Sequence, residues 1–293
     1  MILRSLLAGI AVMGFVGCAG AQTDDTEAGT YSMADVEAAP DAWRAVDPEN
    51  LVIMETSAGQ IALELLPVAA PAHVEQFKAY VRAGLYDTTP FHRVLKDFMA
   101  QGGDVEATHG ADKMLEPMQA EFTFRRDPAA VPISSIGPED AADSGLHLGF
   151  PITTQPGFLA EMSFDGLVES WIPHCPGILS TARTDDVNSA NAQFFLISDK
   201  ARHLDYKYTA KGRAITGLDV IQSIKLGPRP DGFPIANPDV VISAVIAADL
   251  PEADRPKAFV QRTDTPEWQA ILEEADARRQ HACELPAVPA VVE

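Results

Sequence analysis

Short β-rich runs separated by turns, rather than long helices, set the limits on this fold. They lie at residues 51–56, 60–65, 90–95, 98–101, 118–124, 177–181, 193–198, 208–216 and 240–247. The first two flank Ser57-Ala58-Gly59, the pattern of a hairpin with a glycine-bearing turn. Eight or so such strands predict a mainly β protein in which a closed antiparallel barrel removes the exposed edges. Between residues 71 and 83 the apolar positions Val74, Phe77, Ala79, Tyr80 and Val81 recur at mostly helical spacing, with Pro71 suited to the first turn and Gly84 to the stop. With a shorter helix over 218–225, this gives two helices to cap the barrel.

The ends of the chain read differently. Arg4 precedes an apolar run over residues 6–16, too short to span a bilayer and typical of an export signal. Ala19-Gly20-Ala21 suits cleavage that ends a signal peptide at residue 21, whereas Phe15-Val16-Gly17-Cys18 resembles a lipobox that would acylate Cys18 and tether the protein to a membrane. Residues 22–48, rich in acidic and small residues, are expected to be a flexible spacer. Residues 251–293 form a C-terminal extension with a helix expected over 266–279 and a loose Pro/Ala/Val end. A formal charge of −20 excludes nonspecific nucleic-acid binding, which needs cations to neutralise phosphate. Outside the signal region only Cys175 and Cys283 remain; an oxidising compartment permits a disulfide between them, and two free buried thiols is the alternative. The histidines show no metal-ligand spacing, so neither metal nor cofactor is expected.

The chemistry concentrates in Phe91-His92-Arg93-Val94-Leu95-Lys96-Asp97-Phe98-Met99-Ala100-Gln101-Gly102-Gly103-Asp104. It sets an arginine, a glutamine and large apolar side chains beside a Gly-Gly turn, the makings of a small apolar pocket with a cationic rim. Met99 and Gln101, two apart on one strand, share a face, as do Gln193 and Phe195 on another. Together with Asn188-Ser189-Ala190-Asn191-Ala192-Gln193-Phe194-Phe195-Leu196-Ile197, Gly177-Ile178-Leu179-Ser180-Thr181-Ala182 and Gly217-Leu218-Asp219-Val220-Ile221, this segment resembles the cyclophilin family of peptidyl-prolyl isomerases.

The resemblance implies an eight-stranded barrel with two capping helices over residues 49–250, carrying an insertion of about 127–173 that is longer than the family needs. The insertion holds Phe150, Phe158, Phe164 and Trp171, more aromatic content than a disordered loop carries, and is expected to be ordered and packed on the barrel. The resemblance gives Arg93 and Gln101 the catalytic positions. It places Phe98, Met99, Phe195 and Leu204 around a proline pocket and Ala182 and Gln193 along the adjoining groove. His203 stands where many members have tryptophan, Tyr208 where histidine is common, Lys211 where an aromatic is usual and Arg183 where a small polar residue is. Arg183 and Lys211 together suggest a preference for acidic or polar residues beside proline. The expected function is cis/trans isomerisation of Xaa-Pro bonds in exported proteins of the periplasm or cell envelope. Its partners are proline-containing polypeptide clients, and the protein is expected to be a monomer. The alternative is a non-catalytic proline-binding chaperone or assembly module.

Overall fold

The computed structural model describes residues 31–139 and 142–293; the signal, both cleavage alternatives and Cys18 lie outside the described residues. In chain order the elements begin with α1 (Met33–Ala38), β1 (Trp43–Ala45), β2 (Leu51–Thr56), β3 (Gly59–Leu65), α2 (Pro71–Arg82), β4 (Arg93–Leu95), β5 (Met99–Gly102) and α3 (Val105–His109). Next come β6 (Phe124–Arg126), β7 (Ser134–Glu139), β8 (Ala142–His147), β9 (Phe150–Thr154) and β10 (Val168–Trp171). The chain continues through β11 (Ile178–Thr181), β12 (Phe194–Ile197), β13 (Thr209–Thr216), α4 (Leu218–Ser223), β14 (Val241–Ile246), β15 (Ala258–Gln261), α5 (Pro266–Arg278) and β16 (Ala290–Val292). The β2–β3 turn is fixed by Thr56, whose Oγ1 accepts from the amides of Ala58 and Gly59.

Eight strands form one antiparallel sheet in the order β14-β2-β3-β13-β11-β12-β5-β4. Its concave side holds Met54, Leu63, Phe194 and Leu196 against Val74, Phe77 and Tyr80 of α2 and Ile221 of α4. The sheet curls into a half-barrel rather than the closed barrel expected. Between its edges β4 and β14 no ladder forms. The approach is made just outside the strands, through a single bridge, Pro90 to Val240, and a few backbone bonds from Thr88, Phe91 and Val241. Pro90 has no N–H to donate, and Thr88 sits at φ 63°, so this segment cannot run on as a strand. The free edge of β4 is instead covered by the loop after α4, where Val94 donates to the Gly232 carbonyl and accepts from the Gly227 amide.

The convex face is covered too. The segment 124–171 forms a second antiparallel sheet, β6-β10-β9-β8-β7. Its Phe124, Phe150 and Ile152 pack with the outward Met99, Phe195 and Ile197. Ile136 and Leu146, with Trp268 and Leu272 of α5, cover Leu51, Ile53 and Ala62. Strands buried on both faces read as nearly continuous apolar runs, which is why β2 and β12 show little alternation.

Three local expectations change. Of residues 118–124 only Phe124, which begins β6, is in a strand: Ala120 and Glu121 give their amides to Asn188 Oδ1 and Thr209 Oγ1, and Met118 makes a lone bridge to Ala190. The stretch read as a flexible spacer is ordered from Tyr31 onward, since Val36 and Trp43 are buried and β1 pairs with β15, Trp43 opposite Gln261. The expected loose end is strand β16, paired with β15. The tail is also bound covalently: Cys175 and Cys283 form a disulfide, with Cα atoms 4.7 Å apart.

Candidate active site

The site is a consequence of register. Arg93 on β4 stands opposite Gln101 on β5, Gln101 opposite Phe195 on β12, and Phe195 opposite Ser180 on β11. Residues paired across a sheet share a face, so Arg93, Gln101 and Phe195 form one row on the convex side. Met99, two residues before Gln101, shares that face, and Ala100, Phe194 and Leu196 turn inward to the core.

A pocket of about 240 Å³ opens on this row, lined by Arg93, Phe98, Met99, Gln101, Ala182, Arg183, Phe195, Leu204 and Tyr208. Met99 and Phe195 are almost wholly buried; the Tyr208 ring meets Phe195 edge-on at 5.5 Å. Phe98 reaches the same pocket as its neighbour Met99 because Asp97, at φ 56°, turns the chain just before β5 begins. Leu204 arrives on a short 3-10 turn, Arg202–Leu204.

Polar groups stand along one side. Arg93 Nε donates to the Asp231 carbonyl at 3.0 Å, which leaves the far end of the guanidinium to face the pocket. Its Nη1 is 3.4 Å from Gln101 Oε1 and 4.0 Å from Met99 Sδ. Gln101 Nε2 in turn donates to Gln193 Oε1 at 2.9 Å. Behind them burial holds His92 below the usual histidine range.

The remaining expected site residues fall in three places. Ala182 stands between this pocket and a neighbouring cavity of about 220 Å³, which Gln193 lines. His203 does not line this pocket; its ring packs on Phe98 at 5.3 Å, at the rim. Arg183 is at the site, its guanidinium 4.6 Å above the Tyr208 ring and 5.7 Å from Phe122, and it donates to the Lys207 and Thr184 carbonyls. Lys211 is not at the groove. It is 1% exposed inside the half-barrel, its Nζ donating to Thr181 Oγ1 at 2.9 Å and lying 4.5 Å from the Phe77 ring centre. Ala210 takes the outward position and Lys211 the inward one, so the charge preference suggested for the groove has no support from Lys211.

Sequence reasoning missed Asp231, Phe122 and Tyr206 at the site, and named Trp171 only among the aromatics of an insertion expected to pack on the barrel. Trp171 packs on Tyr206 at 4.4 Å, beside the turn that carries Leu204 and Tyr208, a partner that no local pattern announces. Among the described residues, Cys175, His281 and Cys283 bring side-chain ligand atoms within 4.8 Å of one another. Both sulfurs are joined in the disulfide and are not thiolate ligands.

Fold and pocket together define a class: a curled antiparallel half-barrel presenting a small apolar socket beneath a guanidinium and an amide. The family described as cyclophilin type peptidyl-prolyl cis-trans isomerase/CLD matches residues 51–246. A probable peptidyl-prolyl cis-trans isomerase of Brucella suis is 34% identical over 205 residues, covering 70% of this chain and 86% of the relative. A peptidyl-prolyl cis-trans isomerase of Streptomyces antibioticus is 34% identical over 184 residues, covering 60% of this chain and 83% of its own length. The crystal structure of cyclophilin AquaCyp293 from Hirschia baltica is 46% identical, with a TM-score of 0.83, and covers 89% of this chain and 97% of that one. That coverage extends beyond residues 51–246 into the flanking elements. The chain belongs to the cyclophilin-type peptidyl-prolyl cis-trans isomerases and is an isomerase enzyme. Cyclophilins bind proline-containing peptides.

Proposed function

We propose that this isomerase acts on Xaa-Pro bonds of exported polypeptides by stabilising the twisted amide through Arg93. Rotation is slow because the amide is conjugated, with a barrier of roughly 18–20 kcal/mol. Twisting makes the proline nitrogen pyramidal and gives it a lone pair, which a guanidinium can hydrogen-bond only while conjugation is lost. Catalysis is then differential binding of the transition state, with no covalent step. Met99, Phe195, Leu204 and Phe98 hold the ring, Tyr208 closes one wall, and Gln101, steadied by Gln193, holds substrate backbone while the other side of the amide turns. Ala182 and Gln193 border the path of the preceding residues, and His203 backs Phe98.

The observation that carries this reading is the pinned fork of Arg93: its Nε is committed to Asp231, and its far end sits beside Gln101 at the socket. A charge-assisted hydrogen bond contributes about 1.5–3 kcal/mol, and each ~1.4 kcal/mol is tenfold in rate. Arg93→Ala is therefore expected to lower kcat/KM on an Ala-Pro tetrapeptide by about ten- to a hundredfold, read by exchange spectroscopy at matched folded content. Arg93→Lys should recover little, since a flexible ammonium does not reproduce the fixed fork. A loss below threefold in Arg93→Ala would remove Arg93 from the mechanism.

The apolar run of residues 6–16 and the two small-residue sites at its end support export to the periplasm or cell envelope, with cleavage after residue 21 or acylation at Cys18. Mass spectrometry of the mature N-terminus distinguishes these, and an intact Met1 in cells would exclude both.

A further inference from the structure

We propose that the loop joining β9 to β10 is a docking surface for apolar segments of unfolded polypeptides and presents them to the neighbouring proline pocket. This rests on the isomerase reading above and extends it from peptides to protein clients. Phe158, Met162 and Phe164 of this loop are 64, 78 and 107% exposed. Large apolar side chains gathered at the surface mark interaction sites. The same insertion buries Phe150 and Ile152 completely, so it has a core these three do not join.

The loop is braced in this arrangement. Arg125 donates through Nε and Nη2 to the two oxygens of Asp165, at 3.0 and 2.5 Å, and through Nη2 to the Leu167 carbonyl at 2.8 Å. Asp165 Oδ1 also accepts from Ser163 Oγ and the Leu167 amide. At the base, the Gln155 amide donates to the Glu169 carbonyl and Gln155 Oε1 accepts from the Glu169 amide. The apolar residues are held out by a hydrogen-bonded frame.

Continuity with the proline site comes through β10. The loop enters this strand at Val168, and the strand ends at Trp171, whose ring stacks on Tyr206. Tyr206, itself 48% exposed, lies between the pocket residues Leu204 and Tyr208. Phe122, two residues before β6, adds a second ring under Arg183 on the same side. The loop and the pocket are thus joined through β10, Trp171 and Tyr206. The favoured client is therefore an extended segment that carries a large apolar side chain several residues from its proline. The charge decides against a lipid surface. Residues 155–167 contain Glu161 and Asp165 and no lysine or arginine, in a chain of formal charge −20, and anionic bilayers repel such a segment.

The test uses the full mature chain and the variant Phe158→Ser/Met162→Ser/Phe164→Ser, with Phe164→Ser alone as a change that leaves packing intact. Two substrates are compared: an Ala-Pro tetrapeptide, and a reduced, carboxymethylated protein whose refolding is limited by one Xaa-Pro bond. The expected result is tetrapeptide kcat/KM within twofold of the parent and protein kcat/KM lowered at least fivefold through KM, with Phe164→Ser intermediate. Ten-residue peptides with leucine or serine five residues from proline should be discriminated by the parent and not by the triple variant. Protein turnover that falls no further than tetrapeptide turnover overturns the proposal. So does a loop-dependent dimer in sedimentation, which makes a second copy the occupant, or loop-dependent binding to phosphatidylglycerol vesicles. Absence of tetrapeptide turnover in the parent would instead overturn the isomerase reading itself.

Discussion

Replacing Lys211 by methionine should stabilise this protein, and by an amount that depends on pH. The side chain lies inside the half-barrel, 1% exposed, and burial pushes its ammonium down to about 7 from an unfolded value near ~10.4. Thr181 Oγ1 and the Phe77 ring attend it; the titratable neighbour is His73, held below the usual histidine range by burial and, to a smaller degree, by the Lys211 charge, with Glu121 paired to it at 2.7 Å. Between about pH 7 and 10.5 the unfolded chain binds a proton that the folded one does not, so stability rises with pH across that window. Below it the folded state carries the full cost of a buried charge, about 4–5 kcal/mol as an upper bound. Methionine has similar volume and no charge. It leaves the Thr181 hydroxyl without this partner, at about 1–2 kcal/mol, so the net gain at pH 6 is at most about 2–4 kcal/mol. At pH 10 the gain should vanish or reverse. Urea unfolding of parent and variant at both values reads this directly, and His73 in the variant should titrate higher by NMR. A gain as large at pH 10 as at pH 6, or a loss at pH 6, would refute the reasoning.

Other expectations follow from single contacts. Glu64 holds Arg44 through two bonds of 2.7 and 2.8 Å and Arg213 at 3.4 Å, all at largely buried side chains; Glu64→Gln should cost about 3–5 kcal/mol, read as a lower urea midpoint. Burial pushes the Arg213 guanidinium down to about 10, so replacing Arg44, Glu64 and Arg213 together by apolar residues should cost less than Glu64→Gln alone. The Cys175–Cys283 bond closes a span of 108 residues, and Cys175→Ser/Cys283→Ser should lose about 4–5 kcal/mol on the chain-entropy account, checked by the thermal midpoint with and without reductant. Gly103 has φ 75°, and an added Cβ would lie 2.7 Å from Phe194 and 2.9 Å from Tyr86; Gly103→Ala should cost about 2–4 kcal/mol and lower peptide turnover, because Phe194 adjoins Phe195.

The sequence by itself determined the local elements and the identities at the site. The hairpin at residues 57–59, the helix begun by Pro71 and the strands that carry Arg93, Gln101 and Phe195 are encoded by neighbours a few residues apart, through period and turn chemistry. Tertiary structure decided whatever depends on residues far apart in the chain. Whether the sheet closes was settled at Pro90 and Val240, where a missing N–H meets a turn. Whether residues 31–48 stay loose was settled by β15 and Glu64, which receive Trp43 and Arg44. Lys211 reads as a groove residue until register places Ala210 outward, across a β11–β13 pairing that shifts between Leu179 and Ser180; a one-residue change of register reverses the face of every side chain beyond it. The pairing of Cys175 with Cys283 and the stacking of Trp171 on Tyr206 are of the same kind. Contacts across such separations are fixed by which surfaces the packed sheets bring together, and no local pattern carries that information.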